Sequence, residues 1–202
     1  MELIIEKLRE LIVNKQEILL EKLDFGACEA SFDVFNLKIK LELPQSFYDF
    51  YSVFNGCVSS TTSIWSAMSM LPLSGILNEK TLMDKLQNEG NFNKWENGTW
   101  WNAGYLPFLS DFSNSLICID TNGSFNGKEN QIILWNNDDP SRIILFESFK
   151  NWLEALFILI ETFDADIIAQ KDAYMDFCIS NINRISSTLN SEYPKFVKAE
   201  RL

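Results

Sequence analysis

The residues of this 202-residue chain with the greatest capacity for chemistry are carboxylates. Asp138 and Asp139 form its most concentrated acidic pair, just ahead of Pro140, and with Asp120 they could hold a hard cation or relay a proton. The pair also sits inside Asn136-Asn137-Asp138-Asp139-Pro140, a run of turn-forming residues, and a solvated turn is the favoured reading. Two carboxylates facing each other across an aromatic cleft would make a glycosidase. The six Trp supply aromatic surface, but no spacing singles out two acids for that work.

Histidine is absent. That excludes a Ser-His-Asp or Cys-His nucleophile, a His-bearing zinc site and an imidazole acid–base pair. Cys28, Cys57, Cys118 and Cys178 are far apart, with no close-spaced metal or redox motif. Their small or apolar neighbours fit reduced thiols in a reducing compartment, although two long-range disulfides remain open from spacing alone. Trp100 and Trp101 are adjacent, so in an extended segment they point opposite ways, and one is expected at the surface. No glycine-rich phosphate loop and no basic patch interleaved with aromatics is visible. The residues favour a non-enzyme that needs no cofactor and no metal.

The 17 Lys and Arg are outnumbered by 28 Asp and Glu, a net charge of −11. Such a chain repels nucleic-acid phosphate and anionic membrane and attracts a basic protein. Acids concentrate at Glu154, Glu161, Asp164, Asp166, Asp172 and Asp176, and the balance turns basic after Ser180. The N-terminus mixes apolar residues with Glu2, Glu6, Lys7, Arg9 and Glu10, unlike a signal peptide, and a cytoplasmic location is expected.

These side chains must be held by secondary structure. Leu8, Leu11, Ile12, Ile18, Leu19 and Leu23 are close to helical spacing, which predicts an amphipathic helix over 1–23 that stops at Gly26. Residues 29–40 read as helix through Phe32, Phe35 and Ile39, or as strand through Leu37, Ile39, Leu41 and Leu43. A helix from Pro44 carries Phe47, Phe50, Tyr51 and Phe54 on one face and is capped by Asn55-Gly56. A short strand at Ser69–Leu73 and a helix over 75–88 follow. Strands are expected at Gly104–Leu109, Ser115–Asp120, Gln131–Asn136 and Arg142–Phe146. Ser148 then caps a helix that buries Phe149, Trp152, Leu153, Leu156 and Ile160, and a last helix spans about 166–189. Helices, then grouped strands, then helices describe one α+β domain over 1–202.

Several of these segments, taken in order, resemble the SUKH superfamily, which includes fungal regulators of cell-wall glucan synthesis and many bacterial proteins. The N-terminal half of the signature is Leu23-Asp24-Phe25-Gly26-Ala27, then Phe32, Phe35 and Ile39, then Leu43-Pro44 through Phe50-Tyr51, then Asn55-Gly56. The second half is Trp100-Trp101-Asn102 through Pro107-Phe108, Leu116 to Asp120, Gln131-Ile132-Ile133, Asp138-Asp139-Pro140-Ser141-Arg142 and Ser148-Phe149 to Trp152-Leu153. The set covers roughly residues 23–157. Where relatives carry a glycine-rich turn, this chain has Asp111-Phe112-Ser113-Asn114, and Glu42 stands in place of a glycine before Leu43-Pro44.

The resemblance implies a central mixed or antiparallel sheet flanked by N- and C-terminal helices, with its core at about 23–160, and it favours helix over 29–40. It also implies a role. Bacterial members are mostly immunity proteins that bind and neutralise a cognate polymorphic toxin, frequently a nuclease. The fungal members act instead as intracellular scaffolds or regulators and carry long disordered extensions, which this sequence lacks. The family offers no agreed catalytic residues. A basic toxin with a cationic cleft suits an acidic binder. The candidate contact residues are the acids on the loops of the sheet, Asp111, Asp120, Asp138 and Asp139, with Trp135 on the strand before the paired acids.

Overall fold

The computed structural model describes residues 2–15, 21, 23–59, 63–66, 68–162 and 181–202. The elements run α1 (Glu2–Lys15), β1 (Leu23–Phe25), α2 (Glu29–Lys38), α3 (Gln45–Tyr51), β2 (Phe54–Cys57), β3 (Ser69–Met70) and α4 (Leu73–Asn88). They continue with β4 (Tyr105–Ser110), β5 (Ser115–Asp120), β6 (Gln131–Asn136), β7 (Ser141–Phe146), α5 (Phe149–Thr162), a helical stretch α6 over 181–189, and β8 (Lys195–Lys198). Among the described residues no helix is long and apolar enough to cross a membrane.

The Ile- and Leu-rich runs pair as a meander. β3 to β8 lie side by side in chain order, each antiparallel to the next, and β1 and β2 form a separate antiparallel ribbon. The fold is α+β, and the sheet is antiparallel throughout. Pro107 is tolerated inside β4 because the register shifts between it and Leu109, a bulge that needs no ladder donor there.

Side chains alternate across a strand, so each of β4 to β7 feeds two buried faces. One carries Leu106, Phe108, Ile117, Ile119, Ile132 and Leu145, and is covered by the helices. α5 lays Phe149, Trp152, Leu153, Leu156 and Ile160 on it, a stripe at helical spacing, and Ser148 Oγ accepts from the Asn151 N–H at 3.2 Å to cap the helix start. Trp152 is fully buried, with the rings of Phe108, Phe149 and Phe50 at 4.8, 5.1 and 5.7 Å. Ile5, Leu8 and Ile12 of α1 join the same core.

The opposite face carries Tyr105, Leu116, Cys118, Ile133, Trp135 and Ile144 beneath a tryptophan-rich cover. Trp100 and Trp101 are both buried, against the expectation that one faces solvent. The chain turns here instead of extending, so both rings meet Trp135 edge-on, at 6.3 and 5.8 Å. Trp95 stacks on Trp100 at 4.2 Å, and the Arg201 guanidinium lies 4.9 Å over Trp95. The C-terminal tail is held there by Glu96 N–H to Glu200 O at 2.7 Å and Leu202 N–H to Lys94 O at 3.2 Å.

Four local expectations change. The first helix is seen over Glu2–Lys15, Leu23 opens a strand, and residues 16–20 and 22 lie outside the described residues. Gly26 therefore ends no helix; it lets the Ser52 carbonyl approach, where a Cβ would meet that oxygen at 1.8 Å. α3 stops at Tyr51 and Phe54 belongs to β2, so Asn55-Gly56 is not a helix cap. Gly56 has φ +94°, and a Cβ on it would lie 2.4 Å from the Pro72 nitrogen. Asn55 caps α4 instead: its Oδ1 accepts from the Leu73 N–H at 3.0 Å, a donor that the preceding Pro72 has no side-chain oxygen to serve. β3 covers only Ser69–Met70, since Leu73 already begins α4. Of the last expected helix, 181–189 is helical and 166–180 lies outside the described residues. β8 was not anticipated.

Candidate functional site

The β4–β5 and β6–β7 loops lie at the same end of the sheet because Ser115 pairs with Asn136. This brings Asp111, Asp138 and Asp139 together. Asn114 links the loops, donating from Nδ2 to Asp138 Oδ2 at 2.5 Å and accepting from the Asn137 N–H at 2.8 Å. Asp111 Oδ1 accepts from the N–H groups of Ser113, Asn114 and Ser115 at 2.8, 3.0 and 2.9 Å and so shapes its own loop. Asp139 Oδ1 accepts from the Ser141 N–H at 2.6 Å, and this bond holds its carboxyl below the usual carboxylate range. Asp138 and Asp139 are exposed and Asp111 is half-buried.

Asp120 cannot join them. It closes β5 at the far end, five rises of about 3.4 Å from Ser115, or about 17 Å away. It is fully buried, and its oxygens accept from Ser124 N–H at 2.7 Å, Gln131 Nε2 at 2.8 Å and Asn122 N–H at 3.2 Å. Burial raises its pKa, and those bonds oppose the rise. Asp120 organises the turn after β5 and leaves the set of contact candidates. Trp135 leaves it too, being buried with its Nε1 donating to the Trp100 carbonyl at 2.6 Å. Among the described residues, no three His, Cys, Asp or Glu side chains gather to hold a metal ion.

The residue that fixes this end of the sheet is Arg142, which the sequence did not single out for a role. It is fully buried beneath the β6–β7 loop. One terminal nitrogen donates to the carbonyls of Asp139, Ser141 and Asn136 at 2.6, 2.9 and 3.1 Å, and the other to Trp100 O at 3.0 Å. Its guanidinium lies 4.7 Å from the Trp100 ring centre and 5.5 Å from that of Trp135. Burial lowers its pKa to about 10, so it remains charged at neutral pH. The charge is met by carbonyl dipoles and ring faces, with no carboxylate bridged to it among the described residues. Arg142 thus pins the backbone that presents Asp138 and Asp139. The one available signal was its place in the turn motif Asp138-Asp139-Pro140-Ser141-Arg142.

Beside the acidic loops, a groove of about 330 Å³ runs between α4 and the β4–β5 loop. Leu82 and Phe112 rim it, 50% and 54% exposed, with Trp135 and Leu116 deeper in its lining. Phe112 has φ +55°, a left-handed conformation that costs a bulky residue about 1–3 kcal/mol.

A family model for the SMI1/KNR4 family (SUKH-1) matches residues 26–155, well over half of the chain. The chain belongs to the SMI1/KNR4 family. The matched segment of this SMI1/KNR4 protein runs from Gly26 into α5 and contains the whole acidic end, Arg142 and the groove. α1, β8 and the tail that covers Trp95 lie outside it. No curated protein matches the chain.

Proposed function

We propose that this SMI1/KNR4-family chain is a non-catalytic cytoplasmic binding protein, an immunity protein that neutralises a cognate basic toxin, such as a nuclease, by covering its cationic cleft. The observation that carries this reading is the pairing of a rigid base with exposed charge. Arg142 holds the backbone of the β6–β7 loop from below, while Asp138 and Asp139 stay exposed above it. A pre-positioned acidic loop loses little freedom on binding, and a net charge of −11 steers a basic partner toward it. Asp111 stands beside them, bound to the same loop system through Asn114. Asp111, Asp138 and Asp139 are the contact residues of this proposal. Membership of the SMI1/KNR4 family is consistent with this role.

Co-expression with the toxin-like product encoded beside the gene tests it. Growth rescue, together with a complex recovered at low salt and weakened at high salt, is the expected result. No rescue and no complex at any salt would refute toxin neutralisation and favour the intracellular scaffold role of the fungal members. An interface over Glu154–Asp176 would retain the function and replace the residues.

A further inference from the structure

We propose that the groove between α4 and the β4–β5 loop receives one long basic side chain, a lysine or arginine, projected by the protein partner. The partner's identity rests on the toxin-binding reading; the chemistry of the groove does not. Its lining mixes apolar and polar groups: Leu82 and the Phe112 ring face solvent with Met83 behind them, beside Ser113, Asn114 and Asn137. Its lining holds one ionisable group, Glu79. That carboxylate is half-buried, and among the described residues it has no hydrogen-bond or ion-pair partner. Burial alone pushes its pKa up, which marks a charge lacking compensation.

A lysine or arginine fits both features, since its methylenes pack along apolar walls while its head reaches a carboxylate. An apolar side chain would leave Glu79 uncompensated, and an acidic one would be repelled. The volume of about 330 Å³ lies at the low end of ligand sites, about 300–1,000 Å³, and suits a side chain better than a whole cofactor. Phe112 is placed for this contact, its ring at the rim despite φ +55°. Phe112→Gly would relax that backbone, so it removes the rim without harming the fold.

The test is a titration of the intact protein, followed through its methyl and amide NMR signals. The probes are the tripeptide acetyl-Gly-Arg-Gly-amide and its citrulline- and norleucine-centred counterparts. The arginine peptide should shift Leu82, Met83 and Leu86, with binding about tenfold weaker for citrulline, for Glu79→Gln and for Phe112→Gly. Equal binding of all three peptides, or shifts confined to Asp138 and Asp139, would overturn the proposal. In the co-expression assay, full neutralisation by Glu79→Gln and Phe112→Gly alongside failure of Asp138→Asn/Asp139→Asn would overturn the groove and leave the toxin-binding reading standing. Groove occupation by the arginine peptide with no toxin complex would do the reverse.

Discussion

Arg142 meets Trp100 twice, with its guanidinium 4.7 Å from the centre of the indole ring and a terminal nitrogen 3.0 Å from the Trp100 carbonyl oxygen. The same carbonyl accepts from Trp135 Nε1, so one backbone oxygen joins the tryptophan cover, the sheet and the β6–β7 loop. Four carbonyl contacts to its terminal nitrogens and two ring faces stand in for much of the water this buried cation loses, while its Nε is buried without an acceptor among the described residues. The arrangement couples the packing of one face of the sheet to the position of the acids above it.

Arg142→Lys keeps the charge, but an ammonium cannot span the loop carbonyls and Trp100 as a planar fork does. Arg142→Met removes the charge and leaves the Asp139 and Ser141 carbonyls without this donor. Each should cost about 1–3 kcal/mol, lower Tm by several degrees and increase amide exchange at Asp138 and Asp139. Thermal melts with hydrogen exchange check this. Unchanged loop protection in both variants would mean that Arg142 does not hold the loop.

Trp152→Ala removes the ring around which Phe50, Phe108 and Phe149 are packed. A loss of about 3–5 kcal/mol is expected, measurable by urea unfolding. A midpoint within experimental error of the unsubstituted protein would contradict the packing of α5 on the sheet.

The α5 stripe and the β4–β7 strands were legible because long periodic runs commit to one face. β2 was not, because Phe54 continues the helical spacing of Phe47, Phe50 and Tyr51, and only the close approach at Gly56 breaks the pattern. β8 escaped because Lys195-Phe196-Val197-Lys198 is short and takes its place by pairing with β7. At the site, the turn chemistry of Asp138-Asp139 was readable, whereas the fate of Asp120 depended on strand length and burial. Arg142 was hidden by its own type, since arginine is rarely buried without an acidic partner.

The Ser141 hydrogen bond lowers the pKa of Asp139 in the folded protein. The folded-state value is therefore depressed, and the stability it contributes is present above the ordinary carboxylate pKa and lost as pH falls through the lowered value. Asp139→Asn should be less stable than the parent at neutral pH, and the gap should close toward about pH 3. Urea midpoints at both pH values measure it. A gap that widens on acidification would contradict the sign.

Cys28 and Cys118 are free thiols, the Cys57 sulfur accepts from the Met70 N–H at 3.3 Å, and Cys178 lies outside the described residues. Cys28 is exposed, and its hydrogen bond with Ser31 lowers its pKa, whereas burial raises that of Cys118 well above the ordinary thiol value. Alkylation of the native protein followed by mass spectrometry should label Cys28 early and Cys118 only after denaturation. Early modification of Cys118 would contradict the packing of the tryptophan-covered face.

The central claim is that exposed, pre-positioned acids steer a basic toxin onto this end of the sheet. Its most direct measurement is the association rate of the protein with that toxin across a salt series, for the parent and for Asp138→Asn/Asp139→Asn. Screening shortens the reach of exposed charges to about 8 Å at physiological ionic strength. The parent should associate more slowly as salt rises, and the double variant should be slower at low salt and less sensitive to salt, with dissociation little changed. Identical association rates and identical salt dependence for the two proteins would contradict the account.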